Sequence, residues 1–167
     1  MWIFDVSSEA EVTAGAIERP RITAEEFREL AWQGVPYVGQ LGCEILRFAA
    51  GDVVVRLPYS ELLQRPGGTI CGPALMALAD ITLYGVVLSL IGRVELAVTT
   101  SMTVHFLSRP PPVDVMAQGR ILKLGRRLAV GEVVMRSEGD PQPVCQVTGT
   151  YAIPPGPADA PDSAPGR

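Results

Sequence analysis

The sequence holds a single histidine, His105, and three cysteines, Cys43, Cys71 and Cys145, in 167 residues. No Cys-x-x-Cys or His-x-x-x-His spacing occurs, so no metal centre is expected. The thiols are odd in number and far apart, and the start, MWIFDVSSEAE, lacks both the basic residues and the sustained apolar run of a signal peptide. Reduced cysteines in the cytoplasm are the expectation. Charge is sparse as well: 19% of residues are charged, the net charge is −4, and no basic stripe is present. That balance argues against nucleic acid as a partner. Apolar residues, by contrast, make up 47%, enough for one soluble domain with a sizeable core.

Only one long apolar run is present, and it organises the chain. Gly67 to Ile91 reads GGTICGPALMALADITLYGVVLSLI, a glycine-rich turn leading into a helix without a polar face. Pro73 suits the start of a helix, where its fixed φ helps and its missing N–H costs nothing. One charge, Asp80, interrupts the run. The length approaches a membrane span, which needs about 20 residues. Asp80, Thr82, Tyr84 and Ser89 lie within it, no basic clusters flank it, and strand-like segments lie on both sides. These features favour a core helix wrapped by a sheet over a span, so no membrane is expected.

Residues 1–20 show no clear period and read as a loose lead-in. Thr23 followed by Glu25 and Glu26 predicts an N-cap and a helix through Phe27, Leu30 and Ala31, ending near Gly34 and Pro36. Leu41 to Phe48 and Asp52 to Leu57 predict a hairpin, with Val53, Val55 and Leu57 on one face. A helical turn is expected at Ser60 to Leu63 in the connector to the central helix. After Gly92, four strands are predicted: Leu96 to Leu107, Val113 to Leu124, Leu128 to Ser137 and Pro143 to Ile153. The short breaks between them predict an antiparallel meander. The last stretch, PPGPADAPDSAPGR, is too poor in large apolar residues to order itself. The expected organisation is a lead-in and helix over 1–37, one domain over 38–153 and a disordered tail over 154–167. The fold class is α+β: a six-stranded antiparallel sheet wrapped around one long apolar helix, the hotdog fold.

On this element order and these residues, the chain resembles the hotdog-fold acyl-CoA thioesterases, in particular the phenylacetic-acid-degradation, or PaaI-like, subfamily. The resemblance covers about 38–153. It rests on the turn Cys71-Gly72-Pro73, on the string LMALAD ending in Asp80, on VTTSMTVHFLSRP and on KLGRR. Two departures are evident: Cys71 replaces the family histidine of the turn, and Pro73 replaces its second glycine. The amide residue usually found shortly before the turn has Gln64 or Arg65 in its vicinity. The resemblance implies hydrolysis of an acyl-CoA or aromatic acyl-CoA thioester, without a cofactor, in a homodimer or dimer of dimers.

The residues offer chemistry of that kind. Gly72 is placed to supply a backbone N–H to a developing oxyanion at the helix start, where the dipole favours negative charge. Asp80, the isolated acid, would act as a general base toward water or as a nucleophile. Thr99 matches the family hydroxyl that holds the acid or the water, with Thr100 and Ser101 one or two positions away. Arg109, Lys123, Arg126 and Arg127 flank turns and are candidates for the coenzyme A phosphates. Cys71, with Gln64 and Arg65, is expected to border the substrate. A Cys71 nucleophile is the competing mechanism, but nothing in the sequence places His105 beside it. Gly72 and Asp80 are eight residues apart, about 12 Å along a helix. That separation predicts a site shared between two subunits. The alternative is a hotdog module that binds an acyl or aromatic ligand without turnover. Hotdog dehydratase activity is disfavoured, because those enzymes pair a histidine with the acid.

Overall fold

The computed structural model describes residues 19–155. The expectations for the first residues of the lead-in and for most of the tail fall on 1–18 and 156–167, outside the described residues. In chain order the elements are α1 (Ala24–Gly34), α2 (Pro36–Gln40), β1 (Glu44–Ala49), β2 (Asp52–Leu57), a 3-10 turn (Glu61–Leu63), β3 (Gln64–Arg65), β4 (Thr69–Ile70), α3 (Gly72–Ile91), β5 (Val98–Phe106), β6 (Val115–Leu124), β7 (Leu128–Ser137) and β8 (Pro143–Ala152).

Helix α1 starts where Thr23 and Glu26 cap each other's backbone. The Glu26 N–H donates to Thr23 Oγ1 at 3.1 Å, and the Thr23 N–H donates to Glu26 Oε2 at 2.7 Å. Phe27 and Ala31 lie on its buried side. Phe27 seats against Gly85 in the middle of α3, where a Cβ would come within 3.1 Å of its ring. A glycine that weakens the helix locally is thus what lets α1 dock on it. The short helix α2 was not foreseen. It starts at Pro36, a residue suited to a first helical position, and buries Val38.

The six long strands form one antiparallel sheet in the order β1-β2-β6-β7-β8-β5, and β3 pairs with β4 in a separate small hairpin. The expected meander holds for β6, β7 and β8. It fails for β5, which pairs with β8 rather than with β6. The connection after β5 carries Arg109-Pro110-Pro111-Pro112, and a run of prolines with fixed φ and no N–H cannot close a tight hairpin. The Leu107 and Ser108 N–H groups stay on the Val144 carbonyl at 2.9 and 3.2 Å. Pro110 then accepts from the Ile70 N–H at 3.1 Å, and the chain enters β6 beside β2.

Helix α3 lies in the curve of this sheet. By length and mean hydropathy of 2.1 it would pass as a membrane span, but 72% of that stretch is buried against the sheet and α1. Three strand positions beneath it are glycine for lack of room. A Cβ at Gly149 would come 2.6 Å from Leu83 Cδ1, one at Gly131 2.9 Å from Leu83 Cδ2, and one at Gly119 2.8 Å from Thr82 Cγ2. The polar residues of α3 are satisfied locally: Thr82 donates to the Leu78 carbonyl, while Ser89 donates to Val86 and accepts from the Gly51 N–H of the β1–β2 turn. Gly92, at φ +86°, ends the helix.

Candidate active site

Asp80 is half-buried on α3, and its carboxylate is held from the sheet. Thr99 Oγ1 donates to Asp80 Oδ1 at 2.6 Å. Thr99 faces the helix because β5 bulges there: Thr99 is in register with Tyr151, but the next paired residue is Ser101, opposite Thr150. The skipped residue, Thr100, turns outward and donates to the Thr150 carbonyl. Of the three hydroxyl residues in a row, Thr99 is therefore the one that meets the acid. A second donor reaches the same oxygen. Tyr151 on β8 brings its hydroxyl 2.7 Å from Asp80 Oδ1 and 3.0 Å from the Asp80 carbonyl oxygen. Burial, and after it the Asp80 charge, pushes the Tyr151 phenol well above the usual tyrosine range. Tyr151 was not singled out in the sequence. The available signal was its inward phase on β8 with Val147 and Gly149, where a buried tyrosine hydroxyl needs a partner.

Asp80, Thr99 and Tyr151 line a cavity of about 770 Å³. Leu30 of α1 and Val38 of α2 roof it, and Ala77 and Tyr84 of α3 contribute to its wall. The Tyr84 ring stacks on Tyr151 with centroids 6.2 Å apart and planes 19° from parallel. Its lining thus combines apolar side chains with Asp80, Glu29 and the Arg93–Glu95 ion pair.

The start of α3 is elsewhere. Cys71 is the N-cap and makes no side-chain capping bond. Its backbone N–H goes to the Leu63 carbonyl at 2.8 Å. The N–H groups of Gly72 and Ala74 have no acceptor within the helix, as in any first turn, and Pro73 has none to offer. The Phe106 ring lies beside Gly72, where a Cβ would sit 3.3 Å from its edge. Gln64 and Arg65 form β3, in register with Ile70 and Thr69, so both flank the helix start. The Gln64 amide donates to the Tyr59 hydroxyl. Arg109, exposed, directly precedes the Pro110 that takes the Ile70 N–H. His105 neighbours Phe106 on β5, and the alternation of a strand sends it to the opposite face from Gly72.

One chain therefore sorts the expected site residues into two groups. Cys71, Gly72, Gln64, Arg65 and Arg109 gather at the start of α3. Asp80 and Thr99 meet further along. Lys123 and the turn residues Arg126 and Arg127 lie at this second end, since Lys123 is in register with Val130 and the Arg127 carbonyl accepts from the Ile153 N–H at 2.8 Å. Gly72 and Cys71 do not line the cavity that holds Asp80. The other two thiols, Cys43 and Cys145, are buried, and neither lines the cavity that holds Asp80. Burial raises Cys43 to about 12 and Cys145 to about 11.

The thioesterase superfamily model matches residues 67–144, from the turn before α3 into β8. No curated protein matches the sequence. Solved structures do. A candidate thioesterase from Silicibacter sp. TM1040 is similar at 38% identity and a TM-score of 0.75, over 83% of this chain and 96% of that one. A mutant of the phenylacetic acid degradation protein PaaI from Thermus thermophilus is similar at 29% identity and a TM-score of 0.63, over 70% of this chain and 97% of that one. A hypothetical thioesterase from Streptococcus pneumoniae TIGR4, solved with coenzyme A, shares the fold at 22% identity and a TM-score of 0.65, over 79% and 97%. Identity of 38% across almost all of a relative goes beyond a shared fold, and the chain belongs to the hotdog-fold thioesterase superfamily as a PaaI-like thioester hydrolase.

Proposed function

We propose that the protein hydrolyses an acyl-CoA or aromatic acyl-CoA thioester at a site completed by two subunits. The observation that carries this reading is the Asp80 carboxylate, fixed by Thr99 at 2.6 Å on the wall of the cavity. The acyl group would enter that cavity. As general base, Asp80 takes a proton from water while the water oxygen bonds to the thioester carbon; the C–S bond then breaks and the thiolate leaves. As nucleophile, Asp80 bonds to that carbon and the C–S bond breaks to release the thiolate; water then opens the mixed anhydride, giving the free acid and restoring the Asp80 carboxylate. Either route puts negative charge on the carbonyl oxygen, where the Gly72 N–H and the helix dipole would stabilise it.

Within one chain Gly72 and Asp80 are separated by about 12 Å of helix, too far for both to reach one carbonyl. A second copy packed with its α3 antiparallel would bring its Gly72 to this chain's Asp80. It would also unite Gln64, Arg65 and Arg109 of one subunit with Lys123, Arg126 and Arg127 of the other, as ligands for the coenzyme A phosphates. Cys71 would border the thioester. The exposed edge strand β5, with Val98 58% and Phe106 53% exposed, supports pairing of copies in a dimer or dimer of dimers. The coenzyme A in the Streptococcus relative supports the choice of thioester. Three free cysteines suit the cytoplasm.

The test is release of free thiol from a panel of straight-chain and aromatic acyl-CoA thioesters. Asp80→Asn should lower turnover by at least about a hundredfold while the protein stays folded. Hydrolysis within a few-fold of the wild type would reject Asp80. Binding of the panel without thiol release would reject hydrolysis of these thioesters and leave the non-catalytic module.

A further inference from the structure

Tyr151 is 3% exposed, and its one buried polar atom is spent on Asp80. Thr99 and Tyr151 both donate to Oδ1, at 2.6 and 2.7 Å, which uses that oxygen's two lone pairs. Oδ2 is the carboxylate oxygen left for a reacting group. An aspartate's terminal torsion is broad and roughly twofold, so a carboxylate with one donor rotates and exchanges its oxygens more readily than one with two. We propose that Tyr151 is a positioning residue for the hydrolysis: together with Thr99 it pins Oδ1 and so keeps Oδ2 turned to the substrate. The proposal rests on the reading of Asp80 as the acid of the reaction and deepens it.

The geometry also gives Tyr151 somewhere to go when Asp80 loses its charge. A phenol has one proton, and while Asp80 is ionised the nearer, charged oxygen takes it. When Asp80 accepts a proton or becomes acylated, the Asp80 carbonyl at 3.0 Å is a ready second acceptor. The hydroxyl then stays bonded through the cycle by a turn of its O–H alone. The ring is held for this purpose by stacking on Tyr84 and by its place in β8 between Thr99 and Ala129. With its phenol raised by burial, Tyr151 remains a donor and does not serve as the base.

Tyr151→Phe keeps the ring and removes the donor. The expected result, on the most active thioester of the panel, is a fall in kcat of about tenfold or more, the scale of a lost hydrogen bond to a charged group. KM should stay within about twofold. Thr99→Val should act in the same direction, and the double variant should lose more than the product of the two, since each donor backs the other. Besides Tyr151, the charged and titratable groups that share the cavity with Asp80 are Tyr84 on α3, Glu29 on α1, Tyr37 on α2, and Arg93 and Glu95 on the loop after α3. All are retained in the variants. A readout independent of turnover is the Asp80 carboxyl signal in protein labelled with 13C at aspartate, assigned by its loss in Asp80→Asn. That signal should shift at neutral pH in Tyr151→Phe, because the carboxylate loses one of its two donors. Unchanged kcat in the folded Tyr151→Phe protein, a loss confined to KM, or an unmoved Asp80 carboxyl signal would each overturn the proposal. An inactive Asp80→Asn beside an unaffected Tyr151→Phe removes Tyr151 alone. A fully active Asp80→Asn removes the reading of Asp80 and this proposal with it.

Discussion

A subunit-mixing experiment with Gly72→Pro and Asp80→Asn tests the shared site directly. Proline at position 72 deletes the candidate oxyanion donor, and the backbone can accept it. Gly72 is the first residue of α3, so its N–H is not part of the helix ladder. Cys71 before it sits at φ −75° and ψ 149°, the extended conformation a following proline demands. A Cβ there would lie 3.3 Å from the far edge of the Phe106 ring, which can yield by a few tenths of an ångström. The cost should therefore fall on catalysis, about 100-fold to 1,000-fold for one lost oxyanion donor. Asp80→Asn should be at least as inactive through loss of its charge. Each variant is purified, shown to be folded and dimeric, and then unfolded and refolded with the other at equal concentration. Random pairing makes half the dimers mixed. In a mixed dimer with shared sites, one site collects both lesions and its twin carries neither, so about a quarter of all sites recover. Thiol release should rise from background to about 25% of the wild-type rate per site. Mixed dimers confirmed by mass that show no recovered activity would refute the argument, because a site built within one chain always keeps one lesion.

Two further outcomes follow from the packing. Cys71→Ala and Cys71→Ser should retain most of the turnover, and brief alkylation of the native protein near pH 8 should modify Cys71 while sparing Cys43 and Cys145; loss of activity in both folded variants would move the mechanism to a cysteine nucleophile. The sparing follows from burial and from the sign of the shift: thiols raised to about 12 and about 11 hold their protons at pH 8, and the protonated form is not the nucleophile. Gly149→Ala should destabilise the fold by about 1–3 kcal/mol, since its Cβ would meet Leu83 at 2.6 Å and force that side chain to move. An unchanged melting temperature would mean that the helix does not press on the sheet there.

The division between what the chain wrote locally and what folding decided follows interaction range. The apolar run from Pro73, the alternation of Val53, Val55 and Leu57, and the cap at Thr23 are short-range patterns, and each appears as an element close to where the sequence places it. A helix with no polar face must be surrounded, so the wrapped-sheet architecture was legible too. Strand order was not. The prolines after Arg109 announce a break without saying that β5 turns back to β8, because pairing is chosen by contacts across the whole sheet. The strand glycines 119, 131 and 149 acquire their meaning only once Thr82 and Leu83 lie over them. The same holds at the candidate site. Asp80 stood out as an isolated charge, but a one-residue bulge in β5 singles out Thr99 from its two neighbours. Tyr151, seventy-one residues from Asp80, reaches it only through the curl of the sheet. An isolated carboxylate can be read in one dimension; the donors that aim it are set by tertiary distance, which periodicity does not carry.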